Sequence, residues 1–323
     1  MVFPSQYRLF PLCRAMAVLA LAGAAAAGLS ACPASSTLAG QPRMTVIAHR
    51  AGTADAPENT LEAIRAALSH NVDMIWLSVQ LSRDGVPVLY RPAKLDALTN
   101  GDDRPVAGLT LAELQRLNAG WRFAVPTADG GTQYPYRDAP VRIPTLAQAL
   151  AAIPPTVPVI LDMKAVPAAP QAAAVAAVLR EHTAWQRVYL YSTDAAYQQA
   201  FAAWPEARLF ESRDATRDRL VGVALARQCD RLPAAGTWAG FEVRRKVEVV
   251  ETITLGEGRS PVHALLWTPA SVACFRKGGN VRLVAFGVND AAALREAERL
   301  GMDAVMVDSP RAMMPLRASG PAN

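Results

Sequence analysis

Short apolar runs alternate with amphipathic helical stretches along most of this chain, and that alternation restricts its fold more than any other feature. "MTVIAHR" reads as a strand running into a polar end. "APENTLEAIRAALSHN" opens a helix, with Leu61, Ile64 and Leu68 at helical spacing. Asn59 fits its N-cap and Glu62 its third helical position, as in a capping box. "DMIWLSVQL", an Asp84-Gly85 turn and "VPVLYRP" follow as two strands. "AGLTLAELQRLNAG" is a helix that stops at Gly120, and residues 121–141 are rich in Gly, Pro and Asp, as loops are. The pairing then repeats: helix "IPTLAQALAAIP" and strand "TVPVILDMK", helix "APQAAAVAAVLREHT" and strand "RVYLYS", helix "DAAYQQAFAAWP" and strand "ARLFES". Residues 229–260 read as an irregular insertion with some alternation in "FEVRRKVEVVETITL". "VHALLW" is strand-like, "SVACFRKGG" a helix, "VRLVAFGVN" a strand, "DAAALREAERLG" a helix, and "MDAVMV" a strand ending at "DSP".

Strands alternating with helices over roughly 280 residues imply a parallel sheet with helical crossovers, and that length fits an α/β fold closed as a (β/α)8 barrel. Nine candidate strands compete for eight places, so one is an edge or a hairpin arm. An open doubly wound sheet is the alternative, but no Gly-rich phosphate loop follows the first strand. The chain is 51% hydrophobic and 19% charged, enough apolar matter for one large core. Its net charge of +5 is mild, and no Lys/Arg run is interleaved with aromatics, which argues against nucleic acid as a partner.

The first residues differ in kind. "MVFPSQYRLFPLCRAM" carries Arg8 and Arg14 and no acid, and "AVLALAGAAAAGLSA" is an apolar run shorter than the ~20 residues a membrane helix needs. The run ends in "LSAC", a close match to the bacterial lipobox. Residues 1–31 are thus expected to be removed as a signal peptide and Cys32 to be acylated. Residues 32–43 form a tether, and residues 44–315 the barrel. Pro33 rather than Asp after the cysteine points to the outer membrane, facing the periplasm, with the lipid anchor as the only membrane contact. An ordinary signal cleaved nearby is the other reading. Cys229 and Cys274 are left either as a disulfide in an oxidising compartment or as two buried thiols.

Taken in order, "VIAHRAG", "APENTLEAIRAAL", "DMIWLSVQLSRDGVPVLYRP", "GLTLAELQRLNAG", "RIPTLAQAL", "PVILDMK", "FGVN" and "GMDAVMVDSP" resemble the glycerophosphodiester phosphodiesterase family, over nearly all of residues 44–310. The resemblance implies a TIM-type barrel of the phospholipase C-like phosphodiesterase kind. It implies hydrolysis of glycerophosphodiesters to glycerol 3-phosphate and an alcohol, aided by Ca²⁺ or Mg²⁺. Such chemistry needs cations on the phosphoryl oxygens, a base for the nucleophile and an acid for the leaving alkoxide.

Carried over position by position, the family's first His falls on His49 and its Arg on Arg50. Ala51 stands at the family's Gly, with Gly52 one later. Glu58 is the acid of the Pro-Glu-Asn-Thr segment. The Glu and Asp of strand two, which should hold the metal with a later Glu, fall on Trp76 and Ser78. The later Glu is Asp162, and the phosphate-binding Lys two beyond it is Lys164. The second His falls on Arg91 and its Asp on Pro92. The aromatic of the Trp-Thr-Val-Asn segment is Phe286.

His49 and Arg50 are therefore the implied catalytic residues, Arg50, Arg91 and Lys164 the implied phosphate contacts, and Asp162 the one remaining metal-binding position. Trp has no acceptor and neutral Ser is a poor ligand for a hard dication, so no metal cofactor is expected. Arg91 cannot donate a proton near neutral pH. Three readings stay open: a retained cationic pocket for a phosphodiester or other phosphate-bearing small molecule, a site that has drifted, and a rewired enzyme. The last is similar to metal-independent phosphatidylinositol phospholipases, where an Arg replaces the metal. It lacks a second His, because His70, His182 and His263 fall at helix or strand ends. A non-enzymatic envelope protein that binds another protein is the remaining class.

Overall fold

The computed structural model describes residues 43–318. The expected signal peptide, Cys32 and nearly all of the expected tether lie outside the described residues. The strands are β1 (Thr45–Ala48), β2 (Met74–Leu81), β3 (Pro87–Leu89), β4 (Val125–Pro126), β5 (Thr132–Gln133), β6 (Val159–Met163), β7 (Val188–Tyr191), β8 (Trp238–Glu242), β9 (Arg244–Ile253), β10 (Gly256–Leu265), β11 (Arg282–Phe286) and β12 (Ala304–Val307). The helices are α1 (Leu61–Ser69), α2 (Leu111–Leu114), α3 (Leu146–Ala152), α4 (Ala168–Glu181), α5 (Ala196–Ala200), α6 (Arg213–Ala226), α7 (Pro269–Arg276), α8 (Ala291–Arg299) and α9 (Pro310–Ala318).

Seven of these strands form a parallel sheet in the order β7-β6-β2-β1-β12-β11-β8. The eighth place is taken by residues 209–210, too short to count as a strand. Leu209 bridges in parallel to Leu190 of β7, and Phe210 to Trp238 of β8. Backbone bonds from Phe210 N–H to the Leu190 carbonyl and from Glu211 N–H to the Trp238 carbonyl complete the ring. The result is the eight-stranded barrel implied by the alternating pattern.

The nine candidate strands resolve differently from the expectation. "VPVLY" is β3, which pairs antiparallel to β2 outside the ring. "VHALLW" supplies β10, an arm of a hairpin with β9. The barrel strand between them is β8, inside the stretch 229–260 that reads as an irregular insertion. Gly240 at its centre and the charged run that follows break the hydrophobic signal. Residues 121–141 do form a surface loop, with β4 and β5 as a two-residue ribbon inside it.

The barrel interior is filled by Ile47, Met74, Trp76, Ile160, Tyr191, Phe210, Val284, Phe286, Ala304 and Met306. Gly240 has to be glycine here, since a Cβ would overlap the Phe286 ring. β2 is buried on both faces from Met74 to Val79, so it reads as an apolar run and not as an alternation. Outside the ring, Ile64, Leu146 and Val175 of the helices close over one half, and Phe275, Leu294 and Met313 over the other. Cys229 and Cys274 are joined as a disulfide that ties the segment before β8 to α7.

The N-cap of α1 is Thr60, not Asn59: the Thr60 hydroxyl accepts from Ala63 N–H at 3.1 Å. Asn59 is left-handed at φ 60° and sends its side-chain oxygen across to Ser78 N–H at 2.9 Å. Polar residues at adjacent positions competed for the cap, and the one that could bond β2 was drawn away from it. Thr60→Ala should cost about 1 kcal/mol in denaturant unfolding, the usual value of a lost N-cap. Gly240→Ala should cost about 1–3 kcal/mol by overpacking against Phe286. An unchanged unfolding midpoint for either variant would contradict these assignments.

Candidate functional site

Parallel strands bring their carboxyl ends to one face of the barrel, and the residues singled out in the sequence converge there. His49, Arg50 and Ala51 form a single helical turn directly after β1. Arg50, Ala51 and Gly52 all have positive φ, at 48°, 66° and 99°. Two non-glycine residues held left-handed in succession store strain, which is characteristic of functional turns. The turn aims two side chains. His49 Nδ1 lies 2.6 Å from Asp308 Oδ1 at the end of β12. Arg50 Nη1 donates to Glu58 Oε2 at 2.6 Å.

Asp308 is itself fixed. Its Oδ2 accepts from Asn289 Nδ2 at 2.6 Å, and its backbone N–H donates to Asn289 Oδ1 at 2.7 Å. With a carboxylate on Nδ1, the network favours the tautomer that leaves Nε2 as the free imidazole nitrogen. The His49 bond holds the Asp308 carboxyl below the usual carboxylate range, against the opposing effect of burial. Neither Asp308 nor Asn289 was singled out from the sequence as a site residue. The signals were present in "DSP" and "FGVN", an acid and an amide just past two barrel strands.

On the other side of the mouth, Ser78 and Asp162 sit opposite each other in the β2–β6 register, so they share the interior face. Ser78 Oγ lies 3.4 Å from Asp162 Oδ2, and Lys164 Nζ lies 2.9 Å from Asp162 Oδ1. Burial pushes the Asp162 carboxyl up, while Lys164, the Trp76 indole N–H and Arg50 pull it back. The Trp76 indole N–H is buried without a hydrogen-bond partner of good geometry, as is the Asn59 amide nitrogen. The Trp76 ring packs 4.8 Å from Tyr191, 5.4 Å from Phe286 and 6.1 Å from Phe210. Tyr191 in turn takes a hydrogen bond from Arg213 at 3.2 Å, and Arg213 grips Glu242 at the end of β8 with both carboxylate oxygens. Arg213 and Glu242 were not anticipated, because β8 was not recognised.

Arg91 is the exception to this gathering. It is exposed just beyond β3 and has no hydrogen bond or ion pair among the described residues. The cations are also less free than expected: Arg50 and Lys164 each already hold a carboxylate. His70 and His182 cap the ends of α1 and α4, and His263 lies within the β9–β10 hairpin, so none approaches His49 as a second imidazole.

A hard dication needs several oxygen ligands. Around Asp162 the chain offers one carboxylate already bound to an ammonium, one hydroxyl and an indole. No group of three or more His, Cys, Asp and Glu side chains suited to a metal occurs among the described residues. This donor set does not fit Ca²⁺ or Mg²⁺.

The barrel and the His-Arg turn after its first strand thus frame a mouth of one oriented imidazole and two cation–carboxylate pairs. A family model described as the glycerophosphoryl diester phosphodiesterase family matches residues 49–312, and the chain belongs to that family. The uncharacterized protein Rv2277c of Mycobacterium tuberculosis is 48% identical over 267 residues, covering 83% of this chain and 87% of that protein. The crystal structure of the glycerophosphoryl diester phosphodiesterase domain of Rv2277c superposes with a TM-score of 0.78 at 46% identity, over 85% of this chain and 99% of that one. Human glycerophosphodiester phosphodiesterase 1 is 36% identical over 120 residues, 37% of this chain and 33% of its own length. At fold level, a phosphodiesterase of Oleispira antarctica in complex with the product sn-glycerol-3-phosphate superposes with a TM-score of 0.61 at 22% identity, covering 86% of this chain and 97% of that one.

The depressed Asp308 carboxyl gives a signed pH dependence. A carboxylate held below its unfolded value contributes stability above that value and loses it as pH falls through the folded one. Wild-type stability should therefore fall more steeply below about pH 4 than that of Asp308→Asn. Parallel unfolding-midpoint profiles of the two proteins against pH would contradict the His49–Asp308 pairing.

Proposed function

We propose that this protein is a phosphate-ester-binding member of the family that has lost metal-dependent hydrolysis. The observation that carries the reading is the state of the metal position: Trp76 and Ser78 replace the two carboxylates the family resemblance implies, and Lys164 sits on the remaining one. Trp76 also occupies volume that an ion and its waters would need. The ligand is a glycerophosphodiester or another small molecule bearing a phosphate, held by Arg50 and Lys164. Arginine suits bidentate contact with phosphate oxygens. Arg91, exposed beyond β3, is not part of this pocket.

Because Glu58 and Asp162 already neutralise these cations, an incoming phosphate competes with carboxylates. That competition gives a test. Glycerol 3-phosphate should bind in calorimetry without added metal and equally well in chelator. Lys164→Ala should abolish the binding, and Asp162→Asn should tighten it by about tenfold, the effect of roughly 1.4 kcal/mol of removed repulsion. Hydrolysis of glycerophosphocholine that depends on Ca²⁺ or Mg²⁺ and stops in chelator would overturn the proposal.

One observation favours a second reading. The His49–Asp308–Asn289 chain is the arrangement that orients an imidazole for general acid–base work. A metal-independent phosphodiesterase would use His49 with an arginine as its electrostatic support. It would show as chelator-insensitive turnover that His49→Ala abolishes.

The setting we propose is the bacterial envelope, with the chain acylated at Cys32 on the outer membrane and facing the periplasm. The "LSAC" motif after the apolar run supports it. Intact-mass measurement of the mature N-terminus should give a diacyl or triacyl Cys32, and an unmodified Cys32 would refute it.

A further inference from the structure

The β9–β10 hairpin has no role in the site described above. Its arms are ten residues each, it pairs with nothing beyond itself among the described residues, and both its faces are largely exposed. An isolated two-stranded ribbon is marginally stable in water, and its outer edges present unpaired N–H and C=O groups. Of the eleven large apolar side chains exposed among the described residues, eight lie on this hairpin, its turn or α6 beside it. They include Val249, Val250, Ile253, Leu255 and Val262. A cleft of about 760 Å³ separates the ribbon from α6, lined in part by Val221, Leu225, Val247, Val249 and Val262. So concentrated a patch marks a surface that becomes covered.

The charge order along β9 identifies the cover. The strand reads "RRKVEVVETI": basic at its root and acidic toward its tip. We infer that β9 is a dimerisation strand, pairing antiparallel with β9 of a second copy of this chain about a two-fold axis at Glu248. Residues directly opposite in an antiparallel pair share a face, and a two-fold axis normal to the sheet preserves that face. With the axis at Glu248, Arg245 lies opposite Glu251 of the second copy, and Val247 opposite Val249. The symmetric contacts follow in reverse order. This face is therefore a self-complementary row of ion pair, Val–Val, Val–Val and ion pair, in which Arg245 exchanges a long 3.5 Å contact with Glu242 of its own chain for Glu251 of the second copy. On the opposite face of the ribbon the two Glu248 side chains meet at the axis, and each is already bonded to its own Arg259 at 2.6 Å. The Val247 and Val249 row itself runs into the cleft beside α6.

An anionic lipid surface fits less well, because the distal half of the ribbon carries Glu248, Glu251 and Glu257. An unrelated protein would have no reason to match a self-complementary row. The inference does not depend on the reading of the barrel mouth.

Sedimentation velocity of the purified full chain in non-ionic detergent tests it. The wild-type chain should show a reversible monomer–dimer equilibrium on dilution. Arg245→Glu and Glu251→Arg should each shift it toward monomer by about tenfold in dissociation constant, because two pairs become repulsive at once. The double variant Arg245→Glu with Glu251→Arg should restore the wild-type dimer, since the swapped charges again face their opposites. That rescue excludes misfolding as the cause of the single-variant loss. A monomer at every concentration would overturn the inference, whether or not it sediments with phosphatidylglycerol vesicles. So would a dimer indifferent to both single swaps, as clustering through an acyl chain would be, or a double swap that fails to dimerise.

Discussion

An eight-stranded barrel encloses a volume that side chains must fill, and the packing of Trp76 inside this one conditions everything at its mouth. Trp76 pairs with Ile160, one layer below the level at which Ser78 and Asp162 face each other, and its indole is wedged among Tyr191, Phe210 and Phe286. Its bulk removes water and raises the cost of charge nearby. Burial accordingly dominates at Asp162, and a buried carboxylate must be paired or neutralised. Lys164 answers that demand at 2.9 Å. A cation from the chain thus stands where charge balance in a metal site would have come from an ion.

The mouth that results is divided in two. One half, His49 with Asp308 and Asn289, is rigidly hydrogen-bonded and keeps an imidazole oriented. The other half, Arg50 with Glu58 and Lys164 with Asp162, is electrostatically near balance. A site of this kind holds an anion only by exchanging one acidic partner for another. In the proposed phosphate-binding reading, selectivity would therefore rest on geometry more than on net positive charge, because each cation of this half already faces a carboxylate.

Much of this was legible in the sequence. The alternation of strands and helices gave the barrel, and the order of the strand-end segments placed His49, Arg50, Glu58, Trp76, Ser78, Asp162, Lys164 and Phe286. What escaped had local physical causes. β8 was hidden because Gly240, required by the approach of Phe286, empties the middle of its pattern. The segment "ARLFES" reads as a strand and takes the eighth place, but only Leu209 and Phe210 form bridges to its neighbours in the ring. The α1 cap went to Thr60 because Asn59 serves β2, a long-range bond that adjacent positions cannot reveal. Asp308, itself held by Asn289, meets His49 across 259 residues of chain, and no local spacing encodes that contact. The Cys229–Cys274 pair was one of two open possibilities, and only the packing of α7 beside the start of β8 decides between them.

That disulfide has a further consequence for the exposed hairpin. Cys229 and Cys274 are 45 residues apart, and the whole of β9 and β10 lies between them. The barrel strand β8 and helix α7 on either side of the ribbon are thereby closed into one covalent loop. A protease that cuts the ribbon opens the chain without separating it. The two fragments stay joined at the sulfur bridge, with each already committed to the same barrel. A chain closed in this way can display a long, cleavable arm and survive its cleavage as a single molecule until a reductant arrives.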